Sequence, residues 1–196
     1  MNKNLYFYIM LCTCMLSSCL STKELIKGDS LLENDIHVLN GMYKNVAVNV
    51  DNPKSEQSLY LLLFKNYHRQ MPSYNKDKDY EGNIKIEVLS DKKIRVDHIV
   101  NGCIKKSRTY KGRIKNDFFV IKRKWIIIGV PPVLGGYDES KLAIGISKDG
   151  YLYIKKGFFN IAGIVGMANS NEFYYDYFYE KIDIPENENE IYKEVK

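Results

Sequence analysis

The body of this chain is almost without cysteine. Of its four cysteines, Cys12, Cys14 and Cys19 crowd into the opening stretch and Cys103 stands alone after them. An intrachain disulfide framework is therefore excluded from the main part of the molecule, and Cys103 is expected to pack as a small buried hydrophobe. Histidine is equally scarce. His37, His68 and His98 have no metal-type spacing to another histidine, cysteine or acid, so neither a metal nor another cofactor is expected. His98 follows Asp97, and neighbours on a strand point to opposite faces, so the two cannot form a dyad. The chain also lacks a Gly-x-Ser-x-Gly elbow, a phosphate-binding glycine loop and a carboxylate pair with an identifiable partner. The glycines of "GVPPVLGG" have no phosphate-loop lysine pattern before them and no helix after them. No catalytic residue is nominated, and a non-enzyme is expected.

The first residues, "MNKN", carry Lys3 and no acid, and "LYFYIMLCTCML" follows from Leu5 to Leu16. A cationic start before an apolar run is the pattern of a secretory signal. As a helix these twelve residues reach ~18 Å, against ~30 Å of hydrocarbon, so they are too short for a stable span. The run ends on Leu16-Ser17-Ser18-Cys19, which resembles the lipobox of bacterial lipoproteins. That resemblance implies cleavage between Ser18 and Cys19, a diacylglyceryl thioether on the Cys19 sulfur and acylation of its amine. Cys14 follows Thr13, a poor match to the small residue wanted before the cut, and Cys12 follows the large Met10 and Leu11. Several acyl chains make a durable anchor where one gives only marginal binding. Leu20, where an aspartate favours retention in the inner membrane in that family, points to the outer membrane. No acidic cluster follows Cys19 to mark surface export.

Removing residues 1–18 from 196 leaves 178, enough for one domain with a sizeable core. The formal charge of +5 falls by one with Lys3, a mild excess that argues weakly for any polyanionic partner. Sixteen tyrosines suit half-buried strands. Residues 19–38 are expected to form a lipidated tether, 39–184 a β-meander domain, and 185–196 an acidic, disordered tail. In "GMYKNVAVNV", Val46, Val48 and Val50 alternate with Ala47 and Asn49, which is strand periodicity. "SEQSLYLLLFKNYHR" lacks alternation. Ser55 would cap a short helix there, with Leu59, Leu62 and Leu63 on one face.

From residue 84 alternation is clear: Ile84, Ile86 and Val88, then, after "SDKK", Ile94, Val96, His98 and Val100. Asn101-Gly102 is a strong hairpin signal, and Asn116-Asp117 turns a strand from Cys103 into "FFVIKRKWIII". Pro131 and Pro132 cannot donate to a ladder, so "GVPPVLGGYDES" is expected to leave the sheet. Leu142, Ile144 and Ile146 share a face, Asp149-Gly150 turns into "YLYIKK", and "EFYYDYFYEKI" is the last strand, ended by Pro185. The fold class is mainly β: an antiparallel meander forming a small barrel or curled sheet, with one short helix plugging an end. The polar face carries Lys85, Glu87, Arg95 and Asp97, which hydrocarbon would not tolerate, so a membrane-spanning barrel is not expected. "GMY" is faintly similar to the Gly-x-Trp opening of lipocalin-like barrels. Tyrosine replaces the tryptophan and the following residues do not match, so nothing is carried over.

Two features bear on function. A basic hairpin, "KKSRTYKGRIKNDFFVIKRK", carries Lys105, Lys106, Arg108, Lys111, Arg113, Lys115, Lys122, Arg123 and Lys124 against Asp117 alone. It is either a solvated face that guards strand edges or a surface for an anionic partner such as a lipid headgroup or acidic glycan. Nucleic acid is not expected for an extracytoplasmic chain with few interleaved aromatics. In the last strand Phe173, Tyr175, Tyr177 and Tyr179 share one face, while Tyr174 and Phe178 share the other with Asp176 and Glu180. They are expected either to pack across strands on both faces or to present a stacking platform. The expectation is a membrane-anchored envelope lipoprotein without enzymatic activity, acting as a binding or assembly-accessory domain for an envelope protein or small apolar ligand. The alternative is a hydrolase acting on envelope material.

Overall fold

The structure is a computed structural model; it describes residues 25, 26, 30, 32, 35–49, 58–64, 81–121, 124–130, 134–164 and 167–183. Their elements are a 3-10 turn (Ile36–Leu39), β1 (Gly41–Lys44), α1 (Leu59–Phe64), β2 (Asn83–Ser90), β3 (Lys93–Val100), β4 (Cys103–Lys115), β5 (Phe118–Ile121), β6 (Lys124–Val130), β7 (Leu134–Ile146), β8 (Leu152–Ile164), β9 (Met167–Tyr179) and β10 (Lys181–Ile182). The expected antiparallel meander is present. The sheet order is β10-β1-β2-β3-β4-β5-β7-β8-β9, and β6 carries the β5 chain onward along β7.

Tight turns set this order. Asn101 and Gly102 both take positive φ (52° and 74°), as a two-residue hairpin loop matched to strand twist requires, and Asn116 and Asp117 do the same at 46° and 58°. Asn and Asp tolerate that region better than other side chains. Sheet order begins at β10 and ends at β9, yet only Glu180 separates these two strands in the chain. The sheet therefore curls until its extremes meet at a seam. The Lys44 amide donates to the Glu180 carbonyl (2.9 Å) and the Val48 amide to the Phe178 carbonyl (2.8 Å). Asn49 clamps the same seam, its side-chain amide donating to the Asp176 carbonyl and its Oδ1 accepting from the Phe178 amide.

The two rims differ. The lower rim holds the turns at 91–92, 116–117 and 147–150 together with the 3-10 turn; the upper rim holds residue 82, the turn at 101–102 and α1. Inner-face residues Ile84, Ile86, Ile94, Val96, Tyr110, Phe119, Ile144, Ile154 and Tyr179 form one buried cluster. Leu59, Leu62, Leu63 and Phe64 of α1 enter it from the upper end, and Ile36 and Leu39 belong to it as well. A wholly apolar six-residue helix, under two turns, is stable only because this interior receives it.

Several expectations are corrected. Val46 and Val48 are exposed while Ala47 and Asn45 are buried, because β1 stops at Lys44 and the chain then crosses toward the seam and α1. Ser55, the expected cap, lies outside the described residues. The start of α1 is instead satisfied by Asn45, whose carbonyl accepts from the Leu59 amide (2.9 Å) and whose Oδ1 accepts from the Tyr60 amide (2.8 Å). "GVPPVLGGYDES" leaves the sheet less than expected: β6 runs to Val130 and β7 restarts at Leu134. Prolines interrupt a ladder only where they stand, and positions 131–133 lie outside the described residues. Within the tether expected over 19–38, four of the described residues are packed rather than free. Leu25, Ile26, Leu32 and Ile36 are buried, with Leu25 and Ile26 covering the outer side of Phe118, Val120, Ala143 and Tyr153. An outer apolar patch of that kind is worth covering at ~25 cal/mol per Å² removed from water. Gly145 makes room for this segment, since a Cβ there would stand 2.3 Å from the Ser30 hydroxyl oxygen. Cys103 is exposed rather than buried, because it follows directly on the Asn101-Gly102 turn. The tail at 185–196 lies outside the described residues.

Candidate functional site

The upper end of the curled sheet brings His98, Lys106, Arg108 and Tyr110 together around α1. His98 projects inward with Ile94 and Val96 and is buried. Its ring stacks at a tilt on Tyr60 (centroids 4.4 Å apart) and lies 6.4 Å from Phe64. The His98 Nε2 donates to the Glu81 carbonyl at 2.9 Å, which places a proton on Nε2. Asp97 faces outward, as strand alternation requires, and the dyad excluded on sequence grounds is absent.

Lys106 pairs across the ladder with His98, and Arg108 with Val96, so both cations reach over α1. The Lys106 Nζ lies 5.6 Å from the centroids of both Tyr60 and Phe64. The Arg108 guanidinium stands 6.0 Å from Phe64 and 5.9 Å from Tyr110, and it donates to the Leu63 carbonyl at 3.2 Å. A cation over a ring is worth about 0.5–1 kcal/mol at an exposed site, and a cation at a helix C-terminus meets the negative end of the peptide dipoles. Burial pushes the Tyr110 phenol up, and the Arg108 hydrogen bond and charge act against that rise. This arrangement covers the plug with two cations and leaves Lys106 exposed.

The basic hairpin is thus divided by the sheet. Lys106 and Arg108 share the inner-facing side with Tyr110, whereas Lys111, Arg113 and Lys115 alternate to the outer side. Lys105 is the extra residue where the β3–β4 register shifts between His98 and Ile99. Lys124 begins β6, and Lys122 and Arg123 lie outside the described residues. Ser18 and Cys19 also lie outside them. The tyrosine strand is divided too. Tyr177 and Tyr179 are buried in the inner cluster, Phe178 stacks on Tyr153 across the outer face (4.6 Å, 18°), and Phe173 and Tyr175 are exposed.

Two outer-face charge groups stand on the sheet: alternation placed Glu87, Arg95 and Asp97 on one polar face without pairing them, and the group on β7–β9 was not found from the sequence. On β2–β4 the Arg95 guanidinium bridges Glu87 (2.6 Å) and Asp97 (3.1 Å), and the Ser107 hydroxyl donates to the other Asp97 oxygen. On β7–β9, Lys141 sits 3.4 Å from the fully buried Glu139, and Lys155 sits 3.5 Å from Asp176. "DES" gave no strand signal beside its glycines and prolines, so nothing in the sequence placed Glu139 indoors. Among the described residues no group of histidine, cysteine and acid side chains is placed to hold a metal ion, and no helix is long and apolar enough to cross a membrane. No family model, curated protein or solved structure matches the chain.

Proposed function

We propose that the chain is a lipid-anchored envelope lipoprotein, carried at the outer membrane by acyl chains on Cys19, whose curled β-sheet serves as a non-enzymatic binding or assembly-accessory module. The observation that carries this reading is the run from Lys3 through an apolar segment to Leu16-Ser17-Ser18-Cys19. Leu25, six residues beyond that cysteine, is already buried, which suits a module held close to a surface. A partner protein is favoured over a small apolar ligand, because α1 occupies the interior that such a ligand would need. The partner-facing end is the upper rim, where Lys106 and Arg108 lie over Tyr60 and Phe64.

Mass spectrometry of the mature N-terminus tests the anchor. The expected product starts at Cys19 and carries acyl mass, and Cys19→Ser is expected to abolish acylation and release. A chain cut elsewhere, or one that retains Met1 unmodified, refutes the anchor. Cross-linking from the exposed Cys103 thiol at the same rim in whole envelopes tests the module: a discrete protein adduct lost in Lys106→Glu supports it, and an unchanged adduct pattern counts against it.

A further inference from the structure

The lower rim carries a second basic group, separate from the cations over α1. Lys93 of β3 pairs directly across the ladder with Lys111 of β4, a like-charge opposition that disfavours folding unless something anionic meets it. Arg113 and Lys115 continue the same outer face, and Lys92 stands in the adjoining turn. Lys92, Lys93, Lys111 and Arg113 are exposed, Lys115 is half-buried, and none of the five makes an ion pair among the described residues. Among the described residues, Asp91 and Asp117 stand one in each adjoining turn.

Where the chain enters the domain supplies an independent observation. Arg113 pairs with Val120, and Lys115 with Phe118. Val120 and Phe118 are the residues that Leu25 and Ile26 cover, and the Ser30 hydroxyl donates to the Asp117 carbonyl at the same turn. The N-terminal segment therefore docks directly beside the basic group. From Cys19 to Leu25 the chain spans six residues, which reach about 20 Å at full extension. An anchor at Cys19 on so short a leash brings this rim, rather than the α1 end, to the bilayer.

We propose that the lower rim, through Lys92, Lys93, Lys111, Arg113 and Lys115, lies on an anionic phospholipid surface and fixes the orientation of the domain on its membrane. This rests on the Cys19 anchor proposed above. Lipid phosphates meet these cations, and each lysine or arginine near such a surface contributes enough attraction to shift the docked-to-undocked ratio about fivefold. Docking here turns the α1 end, with Lys106 and Arg108, away from the bilayer and toward a partner.

The acylated mature protein is reconstituted into vesicles of phosphatidylcholine, with or without phosphatidylglycerol, each doped with a headgroup-nitroxide lipid. A fluorophore is placed on the lower rim through Ser90→Cys in a Cys103→Ser background, or on the upper rim through the native Cys103. The expected result is strong quenching at position 90 with phosphatidylglycerol, weak quenching at Cys103, and relief of the former by salt. Lys111→Gln and Arg113→Gln, both at exposed positions, are each expected to lower the docked ratio about fivefold. Equal quenching at the two rims, or quenching indifferent to phosphatidylglycerol, overturns the proposal while leaving the anchor intact. Failure of the protein to float with vesicles refutes the anchor itself and takes this orientation with it.

Discussion

Asn45→Ala isolates the contact that holds α1 in the mouth of the sheet. Asn45 is 2 % exposed, and its Oδ1 accepts from the Ser58 hydroxyl (2.9 Å) as well as from the Tyr60 amide (2.8 Å). Its backbone carbonyl still holds the Leu59 amide in the variant, so only side-chain terms are lost. Losing a cap costs about 1 kcal/mol. Removing the buried acceptor that the Ser58 hydroxyl and the Tyr60 amide share costs about 1–3 kcal/mol. These overlap, since both count the same desolvated groups, so the expected loss is about 2–3 kcal/mol. For a chain of this size that corresponds to a Tm fall of roughly 5–10 °C. Urea unfolding of the mature protein reads the loss at an unchanged m-value, and hydrogen exchange is expected to quicken at the amides of residues 60 and 62 before the strands respond. Combination with Ser58→Ala should be less than additive, because both changes remove the same Ser58–Asn45 hydrogen bond. A loss below about 0.5 kcal/mol, within the range of surface substitutions, would refute the reasoning that α1 is pinned by this residue.

Gly145→Val is expected to dislodge the N-terminal segment, since its Cβ meets the Ser30 hydroxyl oxygen and approaches Phe118 to 3.1 Å. Limited proteolysis should then cut near residue 30 while the strands stay protected, and an unchanged digest would disprove the packing. Arg95→Met strips the nearly buried Asp97 carboxylate of its cation. Because Arg95 is itself 38 % exposed, the cost is discounted to about 1–3 kcal/mol, measured by urea unfolding in low and high salt. Burial raises the Tyr43 and Tyr179 phenols, with a further rise at Tyr179 from Tyr177. Their folded pKa values exceed the unfolded value of 10.0, so their contribution is fully present below that pH and declines as pH rises above it. Each is expected to add up to about 1.4 kcal/mol of lost stability per pH unit there. Tyr43→Phe should flatten that fall while losing the hydrogen bond to the Leu39 carbonyl. Finally, the exposed Cys103 should react with maleimide in the native protein as fast as in urea, and protection would contradict its placement.

Most strands were legible because the pattern that marks them is local. Ile84-Ile86-Val88 and Ile94-Val96 alternate against charge, and Asn101-Gly102 takes the positive φ values its residue types permit. Legibility failed where an outer face is also covered. Phe118 to Ile121 are buried on both sides, so β5 shows no alternation, and Leu25 and Ile26 looked like part of a tether because Phe118 and Val120, which they cover, lie about 90 residues further on. The basic hairpin was legible as composition but not as a surface. Alternation along β4 sends Lys106 and Arg108 to one side and Lys111, Arg113 and Lys115 to the other, and the register shift at Lys105 falls within the same run.

What the sequence alone determined is the order of strands and turns, since two-residue periodicity and turn chemistry are properties of neighbours in the chain. Tertiary structure decided the rest. The seam at Glu180, the seating of α1 on Asn45, the docking of Leu25 beside Arg113 and the burial of Glu139 all join residues far apart in the chain. The energy of each contact depends on which surfaces the curled sheet brings face to face.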